Sequence, residues 1–392
     1  MCPPPIGICP FIEFVVSHKK VSQTAQMNVH ATEISHSHGL GQLEIRNKPK
    51  TNQFPLLKFP RVVLLECIEN LDVLEIILFS LLSKRAKANA KLVHWTPLDI
   101  VLRTESPIEI NLKCPIYPYR EWTIEFNEEK ESSEYPYFES YQTGPIVENF
   151  LFLKNNENAI EDSKQLTEHI CEVFSSPVSG VDLGEESQIK WISKFQQIFR
   201  KVWIWDDVIT SVETLYRVLN DVKVTDYVFL GSVAIDENFQ IRVPIPAQQI
   251  SIRNSYWLTL PSILNGTNSM IRLHGSKLTP KEINTILKEW KMGSKLCNLE
   301  YLEIDTVAFQ DAESYTNEIL KDLDWTDGNE NDGRPTTVKL DGEWTDTLPQ
   351  VKTVRNLTGC GGKIGSIFET FGDFEDGKLE LCFYFQVWSR QN

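Results

Sequence analysis

The stretch RVVLLECIENLDVLEIILFSLLSKRAK, Arg61 to Lys87, is the most apolar run of the chain, and it ends in a basic cluster. A membrane-spanning helix needs roughly 20 apolar residues almost free of ionisable side chains. Glu66, Glu69, Asp72 and Glu75 interrupt the run, so it is not read as a span. Nor does MCPPPIGICPFIEFVV resemble an export leader, since it has no basic start and is broken by prolines and Glu13. The expectation is a cytoplasmic or nuclear protein with no membrane partner.

Periodicity divides the run in two. Val63, Leu64, Cys67, Ile68 and Leu71 recur at the spacings of one helix face, and Asp72 is placed to cap a second helix. That second helix, with Leu74, Ile76, Ile77, Phe79, Leu81 and Leu82, is apolar almost all round. It must be covered on several sides, by its own chain or by another protein.

Phe59-Pro60 precedes these helices and Ser83-Lys84-Arg85 follows them. A proline entry, two compact helices and a Ser-Lys-Arg exit resemble the F-box, the short three-helix module that attaches substrate receptors to the Skp-type adaptor of SCF ubiquitin ligases. The register has no gap: Phe59-Pro60 falls on the family's Leu-Pro, Val63-Leu64 on its paired leucines and Cys67-Ile68 on its Ile-Phe. Leu71, Glu75-Ile76 and Ser83-Lys84-Arg85 follow in step. An ordinary helical hairpin in a core competes for each pair taken alone. The resemblance implies that Phe59, Pro60, Val63, Leu64, Cys67, Ile68, Leu71, Ile76, Phe79, Ser83, Lys84 and Arg85 bind the adaptor. Phe59 replaces a leucine and Ala86 stands where many F-boxes carry tryptophan, although SKRAK is a usual ending in the nematode branch.

The charge is unevenly spread. Residues 1–94 hold 11 Lys/Arg against 7 Asp/Glu, whereas residues 95–392 hold 28 against 47. So acidic a remainder argues against nucleic acid as a partner, because phosphate backbones are held by clustered Lys and Arg. The eight cysteines form no CxxC pair and are read as reduced thiols.

Residues 1–50 carry no sustained periodicity and read as poorly ordered; His36 and His38 lack further ligands at metal-site spacing. The F-box occupies 54–94. A β-rich section at 95–150 follows, where LDIVLR and IEINLK read as a hairpin and EWTIEF alternates before the charged turn NEEKESSE, all antiparallel. Tyr117, Tyr119, Trp122, Phe126, Tyr135, Tyr137 and Phe138 are read as hydrophobic cover for this small sheet.

From 151 to 392, helices with one apolar face alternate with short strands. Leu166, Ile170, Val173 and Phe174 mark one helix; Ile189, Ile192, Phe195 and Phe199 a second; Val208, Val212, Leu215, Leu219 and Val222 a third. Strands are expected at 178–183, 227–232, 270–273 and 299–304. The pattern predicts a leucine-rich-repeat-like β-α array. The clearest unit has Thr279, Pro280 and Glu282 as a capping box, a stripe of Ile283, Ile286, Leu287 and Trp290, and Gly293 as its stop. YWLTLPSIL, MIRLHGSKLT, INTILKEWKMGS, LEYLEI, NDGRPTTVKL and LCFYFQVW resemble the type 2 F-box-associated domain found downstream of F-boxes in nematode proteins.

TGCGGKIG, residues 358–365, fails as a phosphate loop because Leu357 and Ile364 replace the required glycine and hydroxyl, and it reads as a turn. No nucleophile elbow, metal set or cofactor motif is found, so no enzyme is expected. The two resemblances imply a substrate-recognition subunit of an SCF-type ligase, F-box to adaptor and C-terminal domain to an unknown target protein. The alternative is a ligase-independent protein-binding scaffold with a degenerate F-box.

Overall fold

Local rules set the first helices. Pro60 stands at the N-cap of α1 (Arg61–Glu69), where its missing N–H is not needed, and its carbonyl accepts from Leu64 N at 3.0 Å. Asp72 caps α2 (Val73–Leu81): its carboxylate accepts from Leu74 N at 3.1 Å, while Glu75 Oε2 accepts from Asp72 N at 2.9 Å. Ser83 caps α3 (Lys84–Ala90) by accepting from Ala86 N at 3.1 Å.

The computed structural model describes residues 56–127, 137–155, 157–309, 312–328, 332–340, 344–373 and 379–389. After α3 come β1 (Asp99–Arg103), β2 (Ile108–Lys113), β3 (Arg120–Asn127), β4 (Tyr137–Thr143), β5 (Ile146–Lys154) and α4 (Ala159–Phe174). Next are β6 (Val178–Leu183), α5 (Glu186–Phe195), β7 (Ile198–Ile204), α6 (Val212–Asp221), β8 (Lys223–Leu230) and β9 (Gln249–Ile252). Then follow α7 (Leu260–Leu264), β10 (Met270–Ser276), α8 (Pro280–Met292), β11 (Tyr301–Phe309) and α9 (Ala312–Ile319). The chain closes with β12 (Trp325–Asp327), β13 (Thr337–Leu340), β14 (Trp344–Thr347), β15 (Arg355–Thr358), β16 (Ile364–Asp373) and β17 (Leu379–Trp388).

These elements form two compact units. One holds the described residues up to Asp99 together with Asn111–Ser176; the other holds Ile100–Ile110 and the residues from Pro177 onward. The sequence segments 54–94, 95–150 and 151–392 remain a proposed functional division, drawn on different lines. Residues 1–50 with His36 and His38, Tyr135 and most of NEEKESSE lie outside the described residues.

In the first unit β5 returns between β4 and β3. It is antiparallel to β4, with Phe138 opposite Leu151, and parallel to β3, with Ile124 opposite Leu151. The section is therefore mixed, not all antiparallel as expected, because the chain reaches β4 before filling the place beside β3. Trp122, Ile124, Phe126 and Leu151 are buried, as are Leu166, Ile170, Val173 and Phe174 on α4. Tyr117, Tyr119 and Phe138 are exposed, so only part of the aromatic cluster is cover.

In the second unit β1, β6, β7, β8, β9, β10 and β11 lie side by side in parallel, followed by antiparallel β17, β16, β15 and β12. Register aligns Leu102, Val181, Val202, Val228, Ile250, Ile271, Leu302 and Phe385 in one buried row. Val218 and Leu219 of α6 line a small apolar space with Val202 and Val228, which places that helix on this face. Because side chains alternate along a strand, the neighbouring row of Asp182, Trp203, Phe229, Ser251, Arg272, Glu303 and Tyr384 faces the other way.

The α8 unit matches expectation closely. Thr279 and Glu282 form the reciprocal capping box, Pro280 opens the helix, Ile283, Ile286, Leu287 and Trp290 are buried, and Gly293 ends it at φ 68°. Elsewhere the boundaries move. Phe199 belongs to β7 rather than to α5, which stops at Phe195; IFRKVWI is a β-branched and aromatic run that a strand suits better. Val208 and Val222 lie outside α6, whose start is fixed by Ser211 accepting from Thr214 N at 3.1 Å. The strand β9 has only four residues, too few for its alternation to be read.

Candidate functional site

The greasy helix α2 is core. Leu74, Ile76, Ile77, Leu78, Phe79 and Ser80 are all buried, so of the two kinds of cover the sequence left open, its own chain supplies it. Its polar tie to the rest of the unit is Ser80, whose hydroxyl lies 2.6 Å from His169 Nε2 on α4. Asp72 also accepts from Trp122 Nε1 at 2.9 Å, and Lys87 and Lys91 pair with Glu172. The three helices are thus bound into the first unit and are not a free appendage.

The outward surface lies on α1 and at the start of α3. Val62 is 77% exposed and Val63 46% exposed, an apolar pair beside exposed Pro60. Phe59, Cys67 and Leu71 are half-buried, and Ser83, Lys84 and Arg85 are exposed. Leu64, Ile68, Ile76 and Phe79 are buried, so they hold the helices together and offer no outward contact. Val62 was missed because it falls off the apolar stripe, on the side otherwise taken by Arg61, Glu66 and Glu69. Lys84 and Arg85 occupy the first turn of α3, where the helix dipole disfavours cations by about 0.3–1 kcal/mol each. Nothing within the helix accounts for them.

A second surface is the helix-free face of the parallel strands. At β10, β11, β17 and β16 it is covered: Met270, Tyr301 and Phe368 pack with Leu340, Leu348 and Val354, and Arg272 pairs with Asp346 at 3.3 Å. Across β6 to β9, Trp203, Trp205 and Phe229 are half-buried and Arg253 is exposed, while Lys201, Tyr227 and Ser251 are buried. There Trp203 contacts Tyr227 (ring centroids 6.0 Å), Trp205 contacts Phe229 (5.3 Å), and Arg253 lies over Phe229 at 5.4 Å. A Cβ at Gly180 would stand 3.1 Å from the Trp203 ring, so the glycine leaves the indole its room. Trp205 Nε1–H donates to Asp182, whose carboxyl burial pushes up to about 6. Arg253 is held by Asp206 at 2.9 Å. The half-buried Trp203 and Trp205 beside an exposed Arg253 are side chains of the kinds that dominate protein interfaces. None of these residues was singled out in the sequence, since only register brings them together.

His274, Glu303 and Asp305 form the one cluster of metal-ligand type among the described residues. Glu303 is already taken by Arg272 at 2.6 Å and by the Tyr301 hydroxyl at 3.0 Å, and His274 Nδ1 bonds Asp305. The arrangement is a polar ladder across β10 and β11 that holds a cation in Arg272. Glu185 caps α5 by a capping box, as its place before a helix suggests. TGCGGKIG is the turn between β15 and β16.

Comparison with protein families gives two matches in the same order. The F-box domain model matches residues 56–93, and the F-box associated model matches residues 238–304, from the approach to β9 through the first half of β11. NDGRPTTVKL and LCFYFQVW lie beyond the second match. No curated protein and no solved structure matches the chain. An F-box followed by an F-box-associated domain fits a non-enzymatic substrate-receptor adaptor in general terms. No helix among the described residues is long and apolar enough to cross a membrane.

Proposed function

We propose that this chain is the substrate-recognition subunit of an SCF-type ubiquitin ligase. The α1–α3 helices dock a Skp-type adaptor, and the aromatic face of β6–β9 holds a target protein whose lysines are thereby brought near a charged conjugating enzyme. The chemistry is proximity, and this chain supplies no nucleophile for it. The observation that carries the reading is the exposed Val62-Val63 pair beside Pro60, together with exposed Lys84 and Arg85 at a helix end that disfavours them. The sequential parallel strands support a leucine-rich-repeat-like description of the second unit, with each strand presenting side chains to one shared face.

The test is co-expression of the full chain with the adaptor, followed by gel filtration, comparing the wild type with Val62→Asp/Val63→Asp. Co-elution of the wild type only supports docking through α1. Equal co-elution of both removes this surface from the reading. A ligase-independent scaffold is the second reading, favoured by Ala86, which is fully buried where a family tryptophan would stand. It predicts a target complex and no adaptor complex.

A further inference from the structure

On the helix side of the second unit, α5, α6 and the start of β8 border an open cleft of about 700 Å³. Lys190 and Lys194 enter it from α5, Arg217 from α6 and Lys223 from β8, against the single acid Asp221. This is the reverse of the surrounding balance, in which residues 95–392 carry 28 basic against 47 acidic side chains. The remaining lining is Gln197 and Asn220, whose amides can donate, and Ser193, whose hydroxyl donates to Lys190 O at 3.2 Å.

The helix dipole does not account for the set. Lys194 lies in the last turn of α5, where a cation is favoured, but Lys190 is one turn earlier, Arg217 is in the middle of α6 and Lys223 is on a strand. Lys190 and Lys194 are spaced i,i+4, the position at which like charges repel along a helix. Internal partners neutralise only part of the cleft. Arg217 pairs with Glu213 at 2.9 Å, and Glu186, which attracts Lys190 and Arg217, also accepts from Thr210 at 2.6 Å and from Thr214. Lys194 and Lys223 have no ion-pair partner among the described residues.

We propose that this cleft binds a phosphate-bearing anion. A phosphate dianion offers three acceptor oxygens to converging ammonium, guanidinium and amide donors, more than one carboxylate would occupy. The volume lies within the range of small-ligand sites and exceeds one phosphate, leaving room for the group that carries it. The carrier is a free polyphosphate or a phosphorylated side chain. The site is on the helix side and involves no residue of the aromatic face or of α1–α3.

The experiment is isothermal titration of the full chain with inorganic pyrophosphate, with a phosphoserine peptide and with its unphosphorylated twin. The variants are Lys194→Glu/Lys223→Glu and, as a charge control outside the cleft, Lys281→Glu; circular dichroism checks that each is folded. The expected result is that at least one phosphate probe binds, more weakly as salt is raised, and roughly tenfold or more weakly in the double variant. Lys281→Glu should retain near wild-type affinity. Tighter binding of the phosphopeptide assigns the site to a modified protein, and tighter binding of pyrophosphate to a free anion. Absence of binding by both probes overturns the proposal. So does equal weakening by Lys281→Glu, or equal binding of the unphosphorylated twin with no binding of pyrophosphate.

Discussion

The Ser80 hydroxyl oxygen and His169 Nε2 lie 2.6 Å apart, joining α2 to α4 inside the first unit. Ser80 gives its only proton to Ile77 O at 2.6 Å, so the contact requires His169 to donate from Nε2. A second proton would have to enter at Nδ1. Burial opposes it first and the Lys87 charge second, which lowers the histidine to about 4 from an ordinary 6.5.

The sign of the pH effect follows. Between 6.5 and 4 the unfolded chain takes up a proton that the folded one refuses, so stability falls as pH drops through that window and is fully present above it. The ring is only partly buried, so the loss is discounted to about 1–2 kcal/mol. Urea unfolding at pH 7.5 and pH 5 should show His169→Gln losing less stability on acidification than the wild type. An identical loss in both proteins would place the acid sensitivity elsewhere.

Leu64 and Val63 are neighbours in sequence with opposite fates, one 2% exposed and the other 46%. Leu64→Ala should cost about 2–4 kcal/mol of stability, because it opens a cavity in a packed site. Val63→Asp should leave the melting temperature within a few degrees and weaken adaptor binding at least tenfold. Thermal melts and a binding titration on both variants separate the two roles. A large melting shift in Val63→Asp would show that its exposure does not describe the working molecule.

What could be read from the chain alone was local. Pro60, Asp72, Ser83 and Thr279 announce helix starts through side chains that bond within three residues, and the α8 stripe repeats at helical spacing. A linear motif does not say which of its apolar residues face inward. Four proposed adaptor contacts, Leu64, Ile68, Ile76 and Phe79, are interior, while exposed Val62 was absent from the set. The aromatic face was illegible for a different reason. Asp182, Trp203 and Phe229 come from three strands, and only parallel register sets them side by side. Reading Phe199 as helical hid β7, the middle strand of the three.

Gly180 tests whether that face depends on the position of Trp203. Valine suits a strand, but its branches would meet the Trp203 ring, 3.1 Å from the new Cβ, and Val101, 3.3 Å from it. Gly180→Val should cost about 1–3 kcal/mol and shift tryptophan emission. Target capture should fall while adaptor co-elution is unchanged. Unaltered capture with a displaced Trp203 would remove this indole from the target surface.

Asp182 gives the face a pH dependence of opposite sign to that of His169. Burial raises its carboxyl to about 6, and the Trp205 hydrogen bond offsets this only in part. The folded protein therefore holds a proton that the unfolded chain releases from about 3.8 upward, and stability from this group falls as pH rises from 3.8 to 6. Asp182→Asn keeps an acceptor for Trp205 Nε1–H without the charge. The variant should be more stable than the wild type by about 1–2 kcal/mol at pH 7.5, discounted for partial exposure, with the gap closing toward pH 4. Denaturant midpoints at those two pH values decide it, since a gap that stays constant would mean that the carboxylate is ionised at no cost in the folded protein.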